Sequence, residues 1–432
     1  MPSAVGVLGP FHRQPGSWYP AVLELRARGP EVGGLSRPAV APTVATLSKE
    51  LRTDQMSPGP TGLGSVPAVH LDQALRRKVH VAHAHRDHAA GLAEGARAPI
   101  GKLRVLMHPV AQVLHERRAS ASRPGARQDG HRVGLAVEGG AMRGVVSAGM
   151  LVALEELGYR DAFDVVYGSS AGSLNAAYFI AGQAWFGLPL YMDQAADGAV
   201  VRWRRALRGQ AVVSLECVLD VLMARHAPLD WEAVLASPIE LCVLASSVTE
   251  ARPVSLTRFV GPGELRQALR AGAAIPFLAG PPVEFRGRLL VDAAVTLAHP
   301  YEAAVAEHCT HVLSLSTRAR GRLAGPPGLA ARFQAWQMDR LGPGLGAASL
   351  RRQAGYREAQ LRLAALTERP GQPPLVLDVA LAPDSPQVPR LTRDAGRLLQ
   401  GARLGYEAAV AAVEQRTARA VLRLTEMTFE DT

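Results

Sequence analysis

Apolar and polar positions change their rhythm near residue 130 of this 432-residue chain. Upstream, Pro, Gly, Ala and Ser crowd segments such as 28–38 and 57–64, and no helix or strand period is sustained. Such a segment buries too little apolar surface to offset its ordering entropy, so residues 1–128 are expected to form a low-complexity, weakly ordered extension. It ends in a helix-like patch from Pro109 to Arg118, followed by a polar linker from Ala119 to Gly130. The folded domain is expected over 129–425.

Downstream the pattern sharpens. Arg132 to Val137 reads as a short buried strand, broken by Gly139 and Gly140. Met142, Val145, Val146, Gly149, Met150, Ala153, Leu154 and Leu157 then fall at helical spacing, with Gly158 placed to end the helix. Phe163 to Tyr167 reads as a second strand, and a small-residue helix starts at about Gly172. The order strand, helix, strand, helix implies parallel strands joined by a right-handed crossover. Both glycine-rich turns then lie at the carboxyl edge, where open α/β sheets hold their sites. Strands are also expected at Ile239–Ser246, Leu289–Val291, His311–Ser316 and Leu375–Ala382, a helix at Gly263–Ala273, and a mostly helical tail from Val388 to about Leu422. The fold class is α/β, a mostly parallel sheet with helices on both faces.

Composition narrows the setting. A hydrophobic share of 48% with 20% charged residues fits a globular domain. Cys217, Cys242 and Cys309 are odd in number and form no CxxC pair, which argues against a disulfide scaffold or zinc ribbon and favours a reducing compartment. No stretch approaches the ~18 apolar residues of a membrane span, and the N-terminus lacks a signal-peptide pattern. A cytoplasmic protein is expected, with peripheral contact at an anionic membrane surface as one reading of the formal charge of +10. The other reading is plain Arg and Ala richness. Nucleic acid is not an expected partner, and oligomeric state is left open.

The chemistry concentrates at the two turns. Gly168-Ser169-Ser170-Ala171-Gly172 has the form G-x-S-x-G, in which glycines permit a strained strand-to-helix turn that presents the central serine. The helix behind it offers N–H groups and a positive dipole end to an oxyanion. The earlier turn, Glu138 to Gly144, is a backbone loop at a helix N-terminus and suits an anion as well. Arg143 opposes the dipole there. It is either a solvated surface arginine or a side chain holding the loop or a lipid phosphate.

On these residues the chain resembles the patatin-like phospholipase family. That family's oxyanion loop, G-G-G-x-[RK]-G, is matched by Gly139, Gly140, Ala141, Met142, Arg143 and Gly144, and its nucleophile elbow by Gly168 to Gly172. Ala268 to Phe277 resembles the stretch before the family's aspartate, and Val291-Asp292-Ala293-Ala294 stands where the family has D-G-[GA]. The resemblance implies a three-layer patatin-like architecture and a serine lipid acyl hydrolase using a Ser-Asp dyad. Ser170 is the implied nucleophile and Asp292 its base; the N–H groups around Gly139, Gly140 and Ala141 form the oxyanion hole, with Arg143 beside it. The substrate is an acyl lipid, and neither metal nor cofactor is required. Ala141 and Ala293 depart from the family's glycines. If either position needs φ > 0, its methyl costs about 1–2 kcal/mol, so a catalytically impaired lipid-binding protein is the alternative.

Two rivals use histidines. A Ser-His-Asp hydrolase would need one after the acid, and His299, His308 and His311 follow Asp292. His83-Ala84-His85-Arg86-Asp87-His88 has the H-x-H-x-D-H form of the metallo-β-lactamase metal signature, though the strands and further ligands that fold needs are missing. Leu329 to Leu341 mixes Phe333, Trp336 and Met338 with Arg332 and Arg340, as an interfacial or lid helix would, or a helix packed on the core.

Overall fold

Strand β1 (Val133–Val137) is buried at every position, as is β2 (Val165–Ser169), and such unbroken burial marks strands covered on both faces. In this computed structural model, which describes residues 77–79, 107–197, 200–208, 211–416 and 424–426, these two strands form the centre of an eight-stranded sheet. Beside them lie β3 (Glu240–Ser247), β4 (Arg252–Leu256), β5 (Val283–Phe285), β6 (Arg288–Asp292), β7 (His311–Ala319) and β8 (Leu375–Leu381). The spatial order is β5–β6–β3–β2–β1–β7–β8, with β4 also paired to β3. Strands β3, β2, β1, β7 and β8 run parallel, whereas β4, β5 and β6 form antiparallel pairs at one side.

Alternation along the strands divides the core. Leu135, Val137 and Val166 point into a large cluster with α2 (Val145–Glu156), α3 (Ala171–Ile180) and α5 (Pro262–Ala273). Ala136, Val165 and Tyr167 point the other way, onto α6 (Pro300–Ala306) and α8 (Leu345–Glu368). The result is a mostly parallel sheet flanked by helices on both faces. Helix α2 packs closely against α9 (Ala395–Glu414), since a Cβ on Gly405 would run into the Val146 carbonyl. Helix α4 (Ala184–Asp197) lies beside α3, and a π-helical stretch, Cys217–His226, packs in turn on α4.

One helix within the expected extension packs on the folded domain. Helix α1 (Pro109–Ala119) sinks Val110, Ala111 and Leu114 into the main core. Its Arg117 is 2% exposed and binds Asp129 at 2.6 Å, Asp164 at 2.9 Å and the carbonyls of Ala162 and His131 at 2.8 and 2.7 Å. The expectation of a weakly ordered extension to 128 gives no sign of this packing, because an arginine satisfied only by tertiary partners looks solvated in sequence. The rest of the expected extension, including His83, His85, Asp87 and His88, lies outside the described residues apart from a short pairing of 77–79 with 424–426. Among the described residues the helix of the expected tail is α9, which starts once Asp394 accepts from the Arg397 N–H at 3.1 Å. Among the described residues no helix is long and apolar enough to cross a membrane.

Candidate active site

The register that pairs Val137 with Gly168 makes β1 and β2 leave the sheet side by side. Ser170 therefore follows its strand into a turn next to the Gly139–Gly140 loop. Its backbone, φ 55 and ψ −132, is a strained conformation for a non-glycine residue. Close packing holds it there. A Cβ on Gly168 would collide with Ser173 Cα, and one on Gly172 with the Val137 carbonyl. Behind the serine, α3 begins with its first N–H groups uncapped by any side chain.

The neighbouring loop also runs through positive φ, with Gly140 at 137, open to glycine without cost, and Ala141 at 52. Ala141 is thus the departure from glycine that falls in the left-handed region, at a cost of about 1 kcal/mol. Ala293 has no positive φ and is fully buried. The Met142 N–H donates to the Arg390 carbonyl at 3.0 Å, while those of Gly139, Gly140 and Ala141 donate to no acceptor among the described residues.

A buried polar network supports the loop from behind. The Glu138 carboxylate accepts from the Thr317 N–H at 2.7 Å and the Tyr356 hydroxyl at 2.5 Å. The Thr317 hydroxyl lies 2.8 Å from the Glu138 carboxylate and 3.0 Å from the Gly139 carbonyl, so its one proton serves either, and it accepts from Arg143 Nε at 3.2 Å. Burial pushes the Glu138 carboxyl up, but His299, Arg143, Tyr356 and the Thr317 N–H outweigh it and hold the pKa at about 2. Burial lowers the Arg143 guanidinium to about 10, opposed by Glu138. Arg143 is 7% exposed, and its guanidinium folds back close over Gly140.

Asp292 ends β6 on the other side of the serine. Its N–H donates to the Ala274 carbonyl at 3.0 Å, and its own carbonyl accepts from the Ser246 hydroxyl at 2.9 Å. Oδ1 accepts from the Ala294 N–H at 2.7 Å, whereas Oδ2 is buried with no made hydrogen bond. Complete burial raises the pKa to about 6, tempered by the Ser170 hydroxyl nearby, the Ala294 N–H, Arg352 and Arg390. The serine is thus close enough to favour the charged carboxylate without meeting hydrogen-bond geometry. Such slack is ordinary before substrate binds.

An apolar cavity of about 70 Å³ opens beside Ser170, lined by Met142, Leu174, Leu190, Val218 and Leu278 among others. The histidines after Asp292 make other hydrogen bonds. His299 binds Ser316 at 3.2 Å, His311 binds Thr310 at 2.9 Å, and His308 sits at the turn after α6. Glu138, Thr317, Tyr356 and Arg352 were not expected from sequence. Only Glu138, adjacent to the glycine pair, carried a local hint.

Comparison with known proteins finds one family match and several structural neighbours. The model of the patatin-like phospholipase family matches residues 135–305. VipD from Legionella pneumophila is similar in structure at 11% identity and a TM-score of 0.31, over 67% of this chain and 68% of that one. Human GIVD cytosolic phospholipase A2, in a complex with methyl gamma-linolenyl fluorophosphonate and terbium chloride, is similar at 15% identity and a TM-score of 0.35 over 71% of this chain. The match spans 63% of the human protein, less than two thirds of its length. No curated protein sequence matches. The chain thus matches the patatin-like phospholipase family model over residues 135–305.

Proposed function

We propose that the chain is a serine lipid acyl hydrolase in which Ser170 and Asp292 form the dyad. The observation that carries this reading is the convergence of four features: a strained serine, a buried aspartate with a free Oδ2, unengaged N–H groups at Gly139, Gly140 and Ala141, and an apolar cavity. Ser170 Oγ attacks the acyl carbonyl carbon as its proton passes to Asp292. The carbonyl oxygen, now anionic, sits against the loop N–H groups. Collapse of the adduct breaks the ester bond, and the alcohol leaves with the proton returned by Asp292. Water, deprotonated by the same carboxylate, then releases the fatty acid from Ser170. A pKa of about 6 suits this exchange, because the carboxylate is ionised at neutral pH yet a better base than a free aspartate.

The left-handed Ala141 favours a second reading, a family member with reduced turnover. One experiment separates them: ester hydrolysis across acyl lengths and fluorophosphonate labelling, with wild type, Ser170→Ala and Asp292→Asn. Hydrolysis and labelling lost in Ser170→Ala support the dyad. Labelling without turnover supports the impaired form, and full activity in either variant sinks the assignment.

A further inference from the structure

Helix α7 (Leu329–Asp339) carries its large apolar side chains outward. Its inner side is small: Ala335 and Met338 are its buried residues, and Met338 packs with Val248, Val291, Val295 and Leu345. On the outer side Leu329 is 84% exposed, Phe333 60% and Trp336 51%. Spacing of i, i+4 and i+7 lines these up on one stripe. The Phe333 and Trp336 rings stack with centroids 5.7 Å apart. The Arg340 guanidinium lies 4.0 Å above Trp336, and Arg332 sits one turn before it on the same side.

An aromatic stripe turned to water on a helix already packed on its other face calls for a covering surface. The flanking arginines select which one. Exposed guanidiniums beside aromatic rings match the boundary of an anionic bilayer, where rings sit at headgroup depth and arginine stems reach lipid phosphates.

We propose that α7 docks the protein on an anionic lipid bilayer, inserting Leu329, Phe333 and Trp336 while Arg332 and Arg340 contact headgroup phosphates. The contact is one packed layer from the dyad, because Val291 and Val295 beneath Met338 flank Asp292 in sequence. It stands apart from the hydrolase reading, since binding is scored without turnover.

The test is cosedimentation of the full chain, carrying Ser170→Ala to prevent lipid breakdown, with vesicles of phosphatidylcholine alone or mixed equally with phosphatidylglycerol. Binding is expected to the mixed vesicles, with at least a tenfold loss of partition on adding Leu329→Ser, Phe333→Ser and Trp336→Ser together. Arg332→Glu with Arg340→Glu should also weaken it. Unchanged melting temperature shows that the variants fold, as expected for exposed positions. Absence of binding to mixed vesicles, or equal binding by the triple variant, overturns the proposal. So does a wild-type dimer that the triple variant abolishes, which would assign the face to a second copy of the chain.

Discussion

The serine half and the aspartate half of the site bear the same departure from the family's glycine pattern, yet the two methyls meet different backbones. Ala141 is held at φ 52 in the proposed oxyanion loop, where the N–H groups of Gly139, Gly140 and Ala141 engage no acceptor among the described residues. Ala293 follows Asp292 with an ordinary backbone, and its methyl packs in the core with Ala136 and Leu244. One methyl is a strain and the other is a contact. The halves differ in the same way throughout. The serine side stores conformational strain, at Ser170 and Ala141. The aspartate side stores electrostatic cost, a carboxylate buried until its pKa reaches about 6.

The sharpest break of this comparison is Asp292→Asn. Loss of the proposed base should lower kcat by about 10²–10⁴-fold. The same change should stabilise the fold. A carboxyl whose pKa is raised from 3.8 to about 6 contributes stability that is complete below pH 4 and is lost as pH rises through 6. Asn stays neutral at every pH, so chemical denaturation should show a gain of roughly 2–3 kcal/mol at pH 7 that vanishes near pH 4. A destabilised variant at pH 7 would refute the electrostatic account. In wild type, kcat/KM should fall about tenfold per pH unit below about 6.

Smaller effects should come from the serine side. Thr317→Val removes the hydroxyl between Glu138, Gly139 and Arg143. Displacement of the loop should cost about 10–100-fold in kcat with KM little changed. Thr317→Ser should restore it, whereas a purely structural defect would not divide kcat from KM. The smallest effects test the comparison most directly. Ala141→Gly should raise stability by about 0.5–1 kcal/mol through relief of strain. Ala293→Gly should lower it by about 1 kcal/mol through lost burial and added chain entropy. Thermal melts that move both variants in one direction would erase the distinction.

Much of the frame was legible because it is local. The strands around 133–137 and 165–169, the helix between them, and the helix and strand leading to Asp292 follow from periodicity and glycine placement. The supporting network was not. Thr317 and Tyr356 lie 179 and 218 residues from Glu138, and no pattern links them until β7 and α8 are in place. The packing of α1 was not legible for a similar reason, since Arg117 is satisfied by Asp129 and Asp164 rather than by water.

What the sequence determined by itself is therefore what depends on neighbours along the chain: the parallel α/β order, the elbow at Ser170, the loop at Gly139 and Gly140, and the candidate Asp292. Tertiary structure alone decided the sign of φ at Ala141 and Ala293, the burial that raises the Asp292 pKa, the hydrogen bond between Arg143 and Thr317, and the outward face of α7. The physical reason is that strain, desolvation and exposure belong to what surrounds a residue. Packing of distant segments sets those surroundings, and two alanines that read alike in sequence acquired opposite roles from it.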